Sequence, residues 1–179
     1  MVLAMRRLLI LAAAAWLVLA PAAESRPRPR LLLTADDFAR IERLSQAWAW
    51  AAAARTGILE AAESWPTAHN TRYGLPEWQL PPEGGQWTLW YICPTHGVAL
   101  QFRGPGQNLC PVDGRNYTGW PYDQVVYARR HSESAAAARD NALAFRLTGN
   151  AAFALQAARI LLAYADVYST YPIKDVNNR

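Results

Sequence analysis

The chain has 179 residues, 52% of them apolar, with eighteen basic against fourteen acidic side chains and a formal charge of +4. That length suffices for one domain with a real core. So mild a charge, with no concentrated basic stripe, gives no case for a nucleic-acid-binding module.

Residues 1–22 read as an export signal. Arg6 and Arg7 form a basic start, Leu8 to Leu19 is an apolar run, and Ala20-Pro21-Ala22 supplies a small-x-small cleavage pattern. The run is shorter than the roughly 20 apolar residues of a membrane span. Cleavage, a periplasmic or secreted location and no stable membrane anchor are therefore expected. With Arg6 and Arg7 removed, the mature charge falls to about +2. Residues 23–33, with Arg26-Pro27-Arg28-Pro29-Arg30, read as an extended lead-in.

A helix is expected from Thr34. Thr34 is a good N-cap and Asp37 stands at the capping-box position. Phe38, Ile41, Leu44, Trp48, Ala52, Leu59 and Ala62 continue a three-four apolar step that only Arg55 interrupts, and Pro66 is expected to end it.

Residues 65–122 hold eight of the twelve prolines, eight of the ten glycines, five tryptophans and four tyrosines. Long helices are not expected there. Short strands are, at Trp87 to Ile92 and Val98 to Phe102. His69 falls at the start of a loop.

Both cysteines lie in one repeated pattern, Cys93-Pro94-Thr95-His96-Gly97 and Cys110-Pro111-Val112-Asp113-Gly114. Each resembles a zinc-ribbon knuckle, in which Pro and Gly shape a tight turn and positions one and four converge on an ion. Cys93, His96, Cys110 and Asp113 would supply the four ligands that a structural zinc requires. A Cys93–Cys110 disulfide is the competing reading in an exported chain, and a metal site that has lost a ligand is another. Trp90, Tyr91, Trp120 and Tyr122, with Trp87, read either as a sugar-stacking wall or as packing for this module.

From Ser134 to Leu147 and from Phe153 to Tyr168 two helices are expected, joined by Thr148-Gly149-Asn150 and closed by Pro172. His131 is expected just before them, as a cap or surface residue, with a contact to a polyanion as the alternative. Such a hairpin is the repeat unit of a helical toroid or solenoid. No nucleophile elbow, phosphate loop, dinucleotide fingerprint or carboxylate pair appears, so no residue is assigned a catalytic role.

Arg28-Pro29-Arg30-Leu31-Leu32-Leu33-Thr34 with Asp36-Asp37-Phe38, the block "WYICPTHGVALQF", then "LCPVDGRNYTGWPYD" and "LAFRLTGNAAFALQAARILLAYADVY" together resemble the opening of exported heparinase II/III-like, or alginate-lyase-like, polysaccharide lyases. The resemblance implies a mainly α fold: an incomplete α/α toroid over 34–179, built of helical hairpins, with a small zinc-ribbon-like β/loop module inserted at 65–122. It implies β-elimination on uronic-acid-containing, anionic polysaccharides. The family's catalytic Asn, His and Tyr belong to later toroid helices and a following β-sandwich, so none is carried onto this chain. The chain is accordingly expected to be an N-terminal fragment, inactive alone. Relatives often carry Cys where this chain has Asp113. The alternative expectation is a non-catalytic carbohydrate-binding or zinc-stabilised scaffold protein.

Overall fold

The computed structural model describes residues 32–172. The export signal, nearly all of the lead-in and the last seven residues lie outside them. The chain divides into two units, Met1–Ala39 and Arg40–Arg179. In the first, the capping box forms as read: Asp37 Oδ2 accepts from Thr34 N at 2.8 Å, and Thr34 Oγ1 accepts from Asp37 N at 3.3 Å.

Helix α1 spans Ala35–Ala47 and buries no residue. Trp48 interrupts it with one extended residue, φ −133 and ψ 125, and helix α2 then runs Ala49–Tyr73. Pro66 does not end this helix. Its missing N–H costs about 3 kcal/mol, but the two turns beyond it bury His69 and Tyr73, 2% and 4% exposed. Burying two rings returns roughly 1.5–3 kcal/mol each, so the helix continues to Gly74. There the backbone turns left-handed (φ 62), and Leu75 N and Gly74 N donate to Asn70 O and Thr71 O. His69 is thus a core residue, not a loop residue. Arg55, the break in the apolar stripe, donates to Leu147 O at 3.1 Å, a cation on the last carbonyls of another helix.

That other helix, α3, runs Tyr122–Thr148, twelve residues longer at its start than the sequence suggested. Its inward face is Val126, Arg130, Ser134, Ala137, Ala138, Asn141 and Ala144. The three-four step is intact but half concealed by polar side chains, each of which has a bonded partner inside. His131 therefore lies within the helix. Its Nδ1 faces Tyr164 Oη at 2.7 Å and its Nε2 faces Glu83 O at 3.0 Å. The pair is satisfied when Nε2 carries the proton, and neither nitrogen is left for a polyanion.

Helix α4, Ala151–Val167, follows the tight turn as read. Gly149 is left-handed (φ 73), and Asn150 Oδ1 accepts from Ala152 N at 3.0 Å. Asn150→Ala should cost about 1 kcal/mol in urea unfolding; an unchanged midpoint would remove the cap from the account. Phe153, Ala157 and Ile160 face inward. Leu161 and Tyr168 do not join them: they are 60% and 77% exposed, with Leu155 and Leu162 also outward.

Helix α3 packs α2 on one side and α4 on the other. Small residues at the contacts let the axes close up. Ala62, Ala144 and Phe153 form one cluster, and Trp78, Ala137, Ala138 and Ile160 another. A third joins the end of α2 and the start of α3 to the segment between them: Tyr73, Tyr91, Cys93, Leu100, Cys110, Val125 and Val126. The molecule is mainly α.

The inserted segment carries a small antiparallel sheet in the order β1 (Gln101–Gly104), β2 (Gln107–Leu109), β3 (Asn116–Tyr117). Trp87 to Ile92 is not a strand. Thr88–Trp90 is a 3-10 turn, and only Ile92 pairs, in a single bridge with Ala99. Gly85 explains the preceding approach to α3: a Cβ there would meet the Ala128 backbone at 2.5 Å, so only glycine fits.

Candidate metal centre

Each cysteine opens a turn between two pairing segments, and the two turns have the same bonds. Cys93 N donates to Val98 O at 2.8 Å, and Cys110 N to Arg115 O at 2.9 Å. Gly97 N donates back to Cys93 O at 2.8 Å, and Gly114 N to Cys110 O at 2.9 Å. Both glycines are left-handed, φ 64 and φ 71, which is why glycine recurs five residues into each motif. The repeat in the sequence is therefore a repeat in backbone geometry.

The turns bring Cys93, His96 and Cys110 together, with their ligand atoms all within 4.8 Å of one another. His96 Nδ1 lies 3.4 Å from Cys93 Sγ and 3.4 Å from Cys110 Sγ. Both thiols are free and buried, while the imidazole stands at the surface. The three are close enough to bind a metal ion.

Asp113 lies at the edge of this group. Its Oδ2 is 3.9 Å from His96 Nδ1, and its Oδ1 accepts from Arg115 N at 3.0 Å. That backbone N–H, followed by a hydrogen bond with Cys110, holds the carboxyl below its usual range. It stands ready as an anion beside the cluster.

Tyr117 is the neighbour that the sequence reading missed. Its hydroxyl lies 3.4 Å from Cys93 Sγ. Burial pushes the Cys93 thiol up, but hydrogen bonds from Tyr117 and from His96 backbone and ring outweigh it and bring it down to about 6. Burial pushes Cys110 up, ahead of the opposing backbone bonds at Asp113 and Val112. The two sulfurs are thus inequivalent, with the Cys93 thiol the more readily ionised. No local pattern marked Tyr117: it is brought to the site by the antiparallel pairing of β3 with β2, where it lies opposite Asn108.

The aromatic residues divide. Tyr91 is 2% exposed, and its hydroxyl donates to Asn108 Oδ1 at 2.6 Å. Tyr122 packs on Tyr117 with ring centroids 5.3 Å apart. Tyr91 belongs to the core under the knuckles and offers no face to a sugar, while Tyr122 packs against that core and is half-buried. Trp90 and Trp120 remain at the surface, 42% and 36% exposed, their centroids 5.9 Å apart and tilted by 45°. Trp87 is 64% exposed.

Among the described residues no helix is long and apolar enough to cross a membrane. No family model, no curated protein and no solved structure matches the chain.

Proposed function

We propose that this chain is a zinc-stabilised N-terminal module of an exported polysaccharide lyase of the heparinase II/III-like kind, acting on uronic-acid-containing glycans. The observation that carries the reading is the pair of congruent knuckles set between helices α2 and α3. A tetrahedral zinc with bonds of about 2.3 Å to sulfur and about 2.0 Å to nitrogen separates those atoms by about 3.5 Å. The two separations of 3.4 Å from His96 Nδ1 fit that spacing. Cys93, His96 and Cys110 would hold the ion, and Asp113 would complete the set after a small rotation about its side chain. The zinc would be structural: three protein donors and an adjacent carboxylate leave it closed, and the nearest hydroxyl, Tyr117, faces a sulfur.

The outward face of α4 supports the toroid. Leu155, Leu161 and Leu162 give this helix a second apolar side, as expected of a helix that lies between neighbours. In the toroid reading further helical hairpins lie on that side and carry the catalytic residues. The exposed Trp90–Trp120 pair favours a second reading, in which the module binds glycan without cleaving it.

Metal analysis and a free-thiol count on the purified chain, prepared without chelator, test the zinc. About one zinc per chain is expected, with both thiols recovered only after chelation. Metal-free protein with no free thiols would establish the disulfide instead. Ultraviolet detection of unsaturated uronate ends from the full-length gene product separates the two functional readings.

A further inference from the structure

Beside the knuckles a second site is built around Arg130. A cavity of about 120 Å³ opens between the end of α2, the loop joining β1 to β2, and the first turns of α3. Tyr73, Phe102, Gly106, Asp123, Tyr127 and Arg130 contribute to its wall. Arg130 is 8% exposed. Its Nη2 donates to Gln79 O at 2.8 Å, and its guanidinium lies 5.8 Å from the Tyr73 ring centroid. Its Nε is buried with no partner.

Among the described residues no carboxylate pairs with this cation. Glu133, one turn along the same helix, is occupied by His69, Arg72 and Tyr73. Asp123 shares the wall, yet its two oxygens accept from Asn108 Nδ2, Thr118 Oγ1 and Gly119 N. The surroundings of Arg130 are instead neutral aromatic groups, with Tyr73 and Tyr127 sharing the cavity wall. A buried charge without a counter-ion is costly, and proteins seldom keep one without a use. A guanidinium in an aromatic-walled cavity is suited to an oxyanion on a ring with apolar faces.

We propose that this cavity seats the carboxylate of a uronic acid against Arg130, with the half-buried Phe102 and Tyr127 rings against the sugar. Its volume lies below the usual range for drug-sized pockets, which limits the ligand to about one sugar unit. The choice of uronate over other carboxylates rests on the proposed lyase reading; the anion site itself rests on Arg130.

The Arg130 Nε–H is a direct reporter. In nitrogen-15 spectra of the full chain, D-glucuronate should shift it downfield and saturably, with Kd on the order of 1 mM for a ligand of this size. Equimolar D-glucose should leave it in place. Arg130→Gln should weaken glucuronate binding at least tenfold, read by saturation transfer to the sugar. If that variant does not fold, the wild-type titration still decides. No shift with either glucuronate or acetate, or an equal shift with glucuronate and glucose, overturns the site. A shift with acetate and none with glucuronate overturns the uronate assignment alone. The lyase reading is tested separately by product formation, so its failure would be seen apart from this one.

Discussion

In the zinc reading, chelation, or Cys93→Ala, should unfold the knuckle segment around residues 91–118 while the α3–α4 hairpin stays helical. The strands there are two to four residues long, far too short to hold a sheet alone. What fixes them is one apolar cluster centred on Cys93 and Cys110 and, in the zinc reading, the ion between the sulfurs. Structural zinc sites of this size carry most of their module's folding free energy. The hairpin depends on different residues: Ile160, Ala137 and Ala138 in one cluster and Ala144 with Phe153 in another. Hydrogen exchange checks this locally. The amides of Cys93, Gly97, Cys110 and Gly114 should lose at least about a hundredfold in protection after chelation. Those of α4 should change little. Equal loss in both would mean one cooperative unit, and no loss in either would mean that the metal plays no structural part. Tyr117→Phe should be milder, lowering metal affinity about tenfold through the lost bond to Cys93.

Much of this architecture was legible because it is local. The Thr34–Asp37 box, the Gly149–Asn150 turn and the duplicated C-P-x-x-G motif each depend on residues within five positions of one another. All three took the expected form. Failures arose where distant contacts outweighed a local rule. Pro66 breaks a helix locally, but His69 and Tyr73 beyond it are buried by α3. The start of α3 reads as polar because Arg130 and Ser134 are partnered inside. Arg130 Nη2 donates to Gln79 O at 2.8 Å, and Ser134 Oγ accepts from Trp78 Nε1 at 3.1 Å. Neither partner can be inferred from spacing. The choice between a sugar-stacking wall and packing could not be made from the sequence for the same reason, since Tyr91 and Trp90 are neighbours in sequence with opposite burial. Of the metal donors, position one and position four of the first knuckle and position one of the second converge. Asp113, the weakest donor by chemistry, is also the one turned toward a backbone N–H.

The second large effect is expected at Glu133, which ties α3 to the extended end of α2. Its Oε1 accepts from Arg72 Nη1 at 2.6 Å and from Tyr73 Oη at 3.0 Å, and its Oε2 lies 3.2 Å from His69 Nδ1. Glu133→Ala leaves the Tyr73 hydroxyl and the His69 N–H buried without acceptors. At about 1–3 kcal/mol for each such donor, and little for exposed Arg72, the loss should be about 2–6 kcal/mol. That would release the two turns beyond Pro66, whose retention depended on the same burial. His69 also sets the acid limit. Burial lowers its pKa, although Glu133 opposes this, because protonating the unpartnered Nε2 would place an unsatisfied N–H among the Trp65 and Tyr73 rings. The unfolded chain takes up that proton near pH 6.5 and the native state resists it. Stability from this group is therefore complete above about pH 6.5 and declines as the pH falls toward the lower native value. In Glu133→Ala the opposing carboxylate is gone, so the decline begins at the same pH and runs deeper. Urea midpoints at about pH 7.5 and about pH 5.5 for wild type, Glu133→Ala and His69→Gln decide the matter. The first two should fall on acidification, Glu133→Ala further, and His69→Gln should fall least. Were His69→Gln to decline as steeply as wild type, the acid limit would belong to other groups, and the Glu133 cluster would account only for the loss at neutral pH.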